Sequence, residues 1–444
     1  MKGQVLSTVL ALAATGALAA SSAAGSCGSE EFDVQFSTVK GYFLQDDPST
    51  QSSDFDYASW NFGLLNRTYP TDATCASQSG LSQWQRFARW VDYLNNGRNR
   101  IDEDGNRVSY RVVFFGRHGE GWHNAAESFY GTPAWNCYYG ELDGNSTASW
   151  ADALLTDDGF AQARKANAYY KKLFEEDGLP YFESYYSSPL RRCIQTANTT
   201  FATLDLPATH RFEPVIKELF REGISVHTCD RRSNKTDIHA FAPQFRFEEG
   251  FAEQDPLWHG ALDEGETSEH QLARSNVVLS DVFLNDESTW ISVTSHSGEI
   301  GSMMSALGHQ PFGLATGQII PVFIKVVLVP KGQGAAATGT SPANATMTMS
   351  SLDAGFTHEA LCNAPPVTSI SGKGCVCSGG SSSAATPATT SASSASSATT
   401  LVTASTITTL VSSASSATTL VTAVPATTSA SAAPAGCTTS TRHY

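Results

Sequence analysis

The stretch Arg111-Val-Val-Phe-Phe-Gly-Arg117-His118-Gly119-Glu120 passes from an unbroken apolar run straight into a cluster of charged residues. Residues 111–115 read as a buried strand, because a short apolar run rich in β-branched and aromatic side chains suits a sheet interior. The same alternation continues downstream. Residues 158–176 have helical spacing, with Phe160, Ala163, Ala166, Tyr170 and Phe174 on one face and Gly178 just beyond. Further strands are expected at 182–186, 214–216, 290–294 and 321–329. Further helices are expected at 189–204, with Pro189 in the first turn, at 268–283 and at 298–307. Strands alternating with helices imply a parallel sheet covered on both faces. The fold class is therefore α/β, a three-layer α/β/α sandwich with a mostly parallel central sheet. Ligands in such folds bind beyond the carboxyl ends of the strands.

Three of those ends carry unusual residues. After the first strand come Arg117-His118-Gly119-Glu120 and then Trp122-His123-Asn124; after the second comes Ser187-Ser188-Pro189-Leu190-Arg191-Arg192; after the strand at 290–294 comes Ser295-His296-Ser297-Gly298-Glu299. Two histidines and at least two arginines converge on one sheet edge. Histidine can act as a nitrogen nucleophile and titrates near neutrality. The planar fork of arginine suits a phosphoryl group, whose transfer depends on positioning and charge stabilisation. No Walker A motif and no metal-ligand spacing is present. Neither cofactor nor metal is expected.

In this set and order the residues resemble the histidine phosphatase (phosphoglycerate mutase-like) superfamily. RHGE with Asn124 four residues on, then SPLxRxxQTA at 188–197, then SHSG at 295–298 mark the branch with RHGE or RHGQ rather than RHGxRxP. The similarity covers roughly residues 111–330. The preceding extension, with GYFLQDD, FGLL and a Trp-rich stretch, resembles fungal members of that branch. The resemblance implies that His118 is the nucleophile that becomes phosphohistidine. It likewise implies that Arg117 and Arg192 clamp phosphate, that His296 binds and stabilises the phosphoryl group, and that Asn124 contacts it. Arg191 falls at the variable position and takes no role. The general acid is expected in the run 217–223, as Glu222, with Glu218 as the alternative. Glu120 and Glu299 are read as supporting or capping groups. His123, where mutases have Trp, and a long loop at 132–149 depart from the family pattern. The implied reaction is hydrolysis of a small-molecule phosphate ester in two steps, with an acidic optimum.

The remaining sequence bears on compartment and partners. A formal charge of −15 argues against nucleic acid as a partner. Residues 1–24 read as a secretory signal, with Lys2 before a short apolar run and small-residue cleavage sites. No other segment could span a membrane. The expected organisation is a signal at 1–24, an N-terminal extension packing on the core at 25–105 and the phosphatase domain at 106–335. A Cys-containing linker at 336–377 and a disordered stalk at 378–444 follow. The stalk has no acidic or basic residue from Ser378 to Thr441 and repeats SSASSATTLVTA at 393–404 and 412–423, a composition fit for O-glycosylation. Its polar end excludes a GPI signal. Asn66, Asn145, Asn198, Asn234 and Asn344 head glycosylation sequons. Nine cysteines leave at least one unpaired within the chain. Cys193, inside a helical apolar pattern, is the expected free thiol, and Cys375-x-Cys377 suits disulfides rather than zinc. The basic run Arg231-Arg232-Ser-Asn-Lys235 reads as a solvated face, with substrate steering the alternative. His227, His239, His259 and His270 read as packing or surface residues. Together these readings give a secreted phosphomonoesterase whose stalk suits association with the cell wall. The alternatives are a phosphoglycerate mutase-type phosphotransferase and a catalytically retired surface glycoprotein.

Overall fold

The computed structural model describes residues 32–74, 80–258, 264–331, 356–358, 362–366 and 377. The signal, the stalk, most of the linker, Asn344 and His259 lie outside the described residues. In chain order the elements are β1 (Phe32–Thr38), α1 (Gln83–Leu94), β2 (Arg107–Arg117), α2 (Trp122–Tyr130), α3 (Thr132–Cys137) and α4 (Asp157–Lys172). Next come β3 (Ser184–Ser187), α5 (Arg191–Phe201), β4 (Val215–Ile216), α6 (Lys235–Phe241), β5 (Arg246–Phe247) and β6 (Glu264–Glu266). The last are α7 (Ser268–Asn285), β7 (Trp290–Ser295), α8 (Ser297–Ala306), β8 (Ile319–Pro330) and β9 (Phe356–His358).

Seven strands form one sheet in the order β1-β8-β2-β7-β3-β4-β5. Strands β2, β7, β3, β4 and β5 are mutually parallel. β8 pairs antiparallel with both β2 and β1, so it alone runs against the rest. All six residues of β7 are buried, as befits a strand covered on both faces. On one face Phe114 of β2 packs against Phe62, Trp84 of α1, Tyr170 of α4 and Phe182. On the other, Phe36 of β1 meets Phe283 of α7, and Tyr186 of β3 meets Phe220. This is the three-layer α/β/α sandwich. No helix among the described residues is long and apolar enough to cross a membrane.

Helix starts follow local chemistry. Ser82 caps α1 in a reciprocal box with Gln85, Thr156 caps α4, and Thr267 caps α7. α4 closes in a wide π-type turn, Leu173–Asp177, ended by Gly178 at φ 66°. The helix expected at 189–204 begins only at Arg191. Pro189 restricts Ser188 to extended backbone, and Leu190 is itself extended, so the strand-to-helix corner consumes both residues. Tyr42, Phe43, Tyr57, Phe62, Trp84 and Phe87 join the same core as the sheet. The segment before residue 105 therefore contributes an edge strand and a share of the core. β1, FDVQFST, alternates polar and apolar residues as a half-covered edge strand does, and it lacks the continuous apolar run that marks the inner strands.

Candidate active site

The registers of the parallel strands place the chemistry. Arg117 pairs with Ser295, Gly116 with Thr294, and Ser187 also with Thr294, so β2, β7 and β3 end nearly level. The next residue of each is His118, His296 and Ser188. His118 is 1% exposed. Its backbone N–H donates to Ser295 O at 3.0 Å. Its ring Nδ1 lies 2.7 Å from Gly119 O. A carbonyl only accepts, so Nδ1 carries the proton and Nε2 keeps its lone pair. Gly119 is required here, since a Cβ would lie 2.4 Å from Gly159 O.

His296 is the N-cap residue of α8 and is fully buried. Its ring meets that of His118 edge-on, with centroids 5.1 Å apart. Arg192 Nε donates to His296 Nδ1 at 3.3 Å, which puts the His296 proton on Nε2, 2.8 Å from Ser188 Oγ. Arg192, buried in the first turn of α5, also donates to Cys229 O at 2.6 Å and lies 3.5 Å from Asp230 Oδ1. Arg117 donates to Leu314 O at 2.7 Å, and its Nε is buried without a partner. Burial, with Arg192 and Arg117 beside it, holds His118 well below the usual imidazole range. Burial and Arg192 do the same to His296. Both rings are neutral at mildly acidic pH.

Asn124 Oδ1 accepts from Gly121 N at 3.0 Å, in a box at the start of α2. The helix-cap role is thus real and uses only its oxygen. The Glu222 carboxylate faces the start of α8. Oε1 accepts from Glu299 N at 3.0 Å and Gly223 N at 3.1 Å, and Oε2 accepts from Gly298 N at 3.2 Å. A Cβ on Gly298 would sit 2.4 Å from Glu222 Oε1, which explains the glycine of SHSG. The charge of Glu222 acts on Arg117. The structure thus brings Arg117, His118, Arg192, Glu222 and His296 to one end of the sheet, with Asn124 at the start of the adjoining helix.

Glu218 does not join them. It is buried between Arg232, whose Nε donates at 2.8 and 3.0 Å, and Arg221 at 3.0 Å. Its carboxylate is engaged by these two buried arginines, and burial pushes it up from its usual range. Glu120 accepts from Thr156 Oγ1 at 2.7 Å and ties the turn to α4, a supporting role as expected. Arg191 lies toward Asp152 and Phe241. The basic run is not a solvated face throughout. Arg231 reaches outward to Asp143 and Trp258, but Arg232 is 3% exposed and also binds the carbonyls of Ala252 and Gln254. Cys193 is a free, buried thiol, as expected, with Sγ 3.3 Å from His296 Nε2; Cys229 is a second. Cys377 is bonded to Cys362.

Arg274 and Glu266 carry no sequence signal. Arg274 of α7 is fully buried and donates to the carbonyls of Leu219, Arg221 and Glu222, so the loop bearing Glu222 hangs from it. It also pairs with Glu266 at 2.8 Å and Glu299 at 3.1 Å. His270 binds Glu266 at 2.6 Å and so supports this network. His123 is 8% exposed, its ring 5.3 Å from that of His118. His227, Cys229 and Asp230 offer ligand atoms within 4.8 Å of one another, the one such metal-capable group among the described residues. The Asp230 carboxylate there is already engaged by Ser225 Oγ at 2.6 Å and by Arg192. The group therefore reads first as support for Arg192.

Comparison with known proteins fits this arrangement. The model of the histidine phosphatase superfamily (branch 1) matches residues 139–320. The chain is 42% identical over 293 residues to a "Probable phosphoglycerate mutase" of Arthroderma benhamiae, covering 66% of this chain and 85% of that one. It is 35% identical over 294 residues to "Phosphomutase-like protein 3" of Candida albicans, covering 66% and 80%. Among solved structures it is similar to a mycobacterial glucosyl-3-phosphoglycerate phosphatase, at 17% identity and a TM-score of 0.29, over 48% of this chain and 90% of that one. The chain belongs to the histidine phosphatase superfamily.

Proposed function

We propose that this member of the histidine phosphatase superfamily is a secreted, metal-independent phosphomonoesterase that works through a phosphohistidine on His118. The observation that carries the reading is the orientation of His118. Its Nδ1 proton is tied to Gly119 O, its Nε2 lone pair is free, and Arg117, Arg192 and His296 surround it. In the first step His118 Nε2 attacks phosphorus in line, the bond to the ester oxygen breaks, and Glu222 gives that oxygen its proton. Arg117, Arg192, His296 and Asn124 hold the equatorial oxygens. In the second step Glu222 takes a proton from water, which attacks phosphorus and releases His118 and inorganic phosphate. A neutral His118 suits an acidic optimum, because the nucleophile stays unprotonated well below pH 6.5.

Secretion is supported by the signal-like start, the Ser/Thr-rich stalk and the sequons. Asn66 and Asn145 are exposed, whereas Asn198 and Asn234 are half-buried. Attachment to the cell wall through the stalk belongs to the same reading. The names of the fungal relatives support a second reading, a phosphotransferase that moves phosphate between carbons. The deciding test measures inorganic phosphate release from p-nitrophenyl phosphate with EDTA, from pH 4 to 8, for wild type and His118→Ala. Activity that survives EDTA and disappears in the variant supports the hydrolase. No release from this or from natural phosphate esters would overturn it.

A further inference from the structure

His123 is an anomaly within this site. It is the second residue of α2, only 8% exposed, and its Nδ1 is buried with no hydrogen-bond partner. Nδ1 lies against Gly121, where a Cβ would come within 2.7 Å. The ring lies 5.3 Å from that of His118. A polar ring buried without a partner is costly, and such groups persist where a ligand completes them. In His118 only Nδ1 is held, by Gly119 O, and Nε2 is the free nucleophile; in His296 the two nitrogens meet Arg192 and Ser188. His123 Nδ1 and His227 Nε2 are both buried without a hydrogen bond here, and of the two rings it is His123 that lies against His118.

We propose that His123 is a third phosphoryl-binding imidazole of the site, which meets the incoming phosphate anion and takes up a proton from solvent as it arrives. This rests on the phosphoryl-transfer reading above and adds a binding group to it. The charged and titratable groups acting on the ring are Arg192 of α5, His118 and Arg117 at the end of β2, and His227. His296 at the start of α8 faces it as well. Burial comes first, and these neighbours together hold the free ring neutral, well below the usual range. A dianion among them reverses the local field, so the charged form of His123 becomes the favoured one. Binding is then linked to proton uptake, and affinity for the dianion falls as pH rises through the bound-state titration of His123.

Calorimetric titration of inorganic phosphate into the full chain at about pH 8, in two buffers of different ionisation enthalpy, counts the protons taken up. Wild type should take up as much as one proton per phosphate bound. His123→Gln can still donate a hydrogen bond but cannot titrate. It should bind within about threefold of wild type with the uptake gone. His123→Phe should bind roughly 10- to 100-fold more weakly, the loss of one charge-assisted hydrogen bond. Thermal melts of both variants separate binding from folding. Uptake that persists in the Gln variant places the proton on phosphate or on another group and overturns the inference alone. So does full affinity in the Phe variant. Failure of the wild type to bind phosphate at all overturns the reading of the site as well.

Discussion

The two halves of the site are positioned by different means. His118, Ser188 and His296 each stand one residue past a parallel strand, and backbone register brings them level. The facing half, from Glu218 to Asp230, is a loop between two single 3-10 turns, with no strand or α-helix. Buried arginines hold it from a distance in sequence. Arg274 binds three of its carbonyls from α7, Asp255 pairs with Arg221, and Arg232 pairs with Glu218. A ladder can fix a nucleophile without side-chain cost. An irregular loop carrying an acid needs side chains to satisfy its carbonyls. Chemistry should therefore be concentrated in the first half and electrostatic stability in the second.

The largest expected effect breaks the first half. His118→Ala should lower phosphate release by at least about 10³-fold, as removal of a nucleophile does, with little movement of the melting temperature. Arg274→Met should do the reverse. It leaves the buried Glu266 carboxylate without its arginine partner, at a cost of about 3–5 kcal/mol. A fall of roughly 10 °C in the melt is expected, visible by differential scanning calorimetry. A shift under about 2 °C would mean that the loop does not depend on Arg274.

The same division decides what the sequence discloses. RHGE, SPLxR and SHSG are legible because each packs a functional residue into a tight turn whose neighbours are also constrained. Gly119 must clear Gly159 O, and Gly298 must clear the Glu222 carboxylate. The five inner strands are legible from apolar runs, whereas β1 is an edge strand and β5 has only two residues. Arg274 and Glu266 lie in or beside an ordinary amphipathic helix, more than forty positions from the carbonyls and amides they hold. No local pattern marks them. Glu218 and Glu222 look alike in sequence; only the fold shows that Arg232 has claimed one of them. His123 is visible as a departure from the family pattern, but its burial beside His118 is not.

The proposed acid sharpens the comparison, because Glu222 belongs to the irregular half yet carries a chemical task in the proposed reaction. Glu222→Gln keeps one oxygen for the amides of Glu299 and Gly223, gives up the bond from the Gly298 amide, and cannot pass a proton. On an alkyl phosphate, whose alkoxide must be protonated to leave, kcat should fall about 10²-fold. On p-nitrophenyl phosphate, whose phenolate leaves unaided, the fall should stay under about tenfold. Equal losses on both substrates would reduce Glu222 to a helix cap.

The smallest expected effect concerns Glu299, which lies directly behind the acid. Burial pushes its carboxyl up to about 8 against the opposing charge of Arg274. A carboxyl raised on folding prefers its protonated form in the folded state. Its contribution is complete below about pH 4.5 and is lost as pH rises toward 8. Glu266 has the opposite sign. Burial works to raise it, but His270 and Arg274 outweigh burial and hold it at about 2, so its contribution fades only below about pH 4.5. Between these limits the irregular half should lose stability as pH rises, by no more than about 1.4 kcal/mol per pH unit. Glu299→Gln fixes the neutral form. Its melting temperature should match wild type near pH 4.5 and exceed it at pH 6, by the equivalent of about 1–2 kcal/mol. A Gln variant less stable than wild type at pH 6 would show that Glu299 is ionised and paired with Arg274. The pH-dependent strain would then have to be sought in the strand-end half.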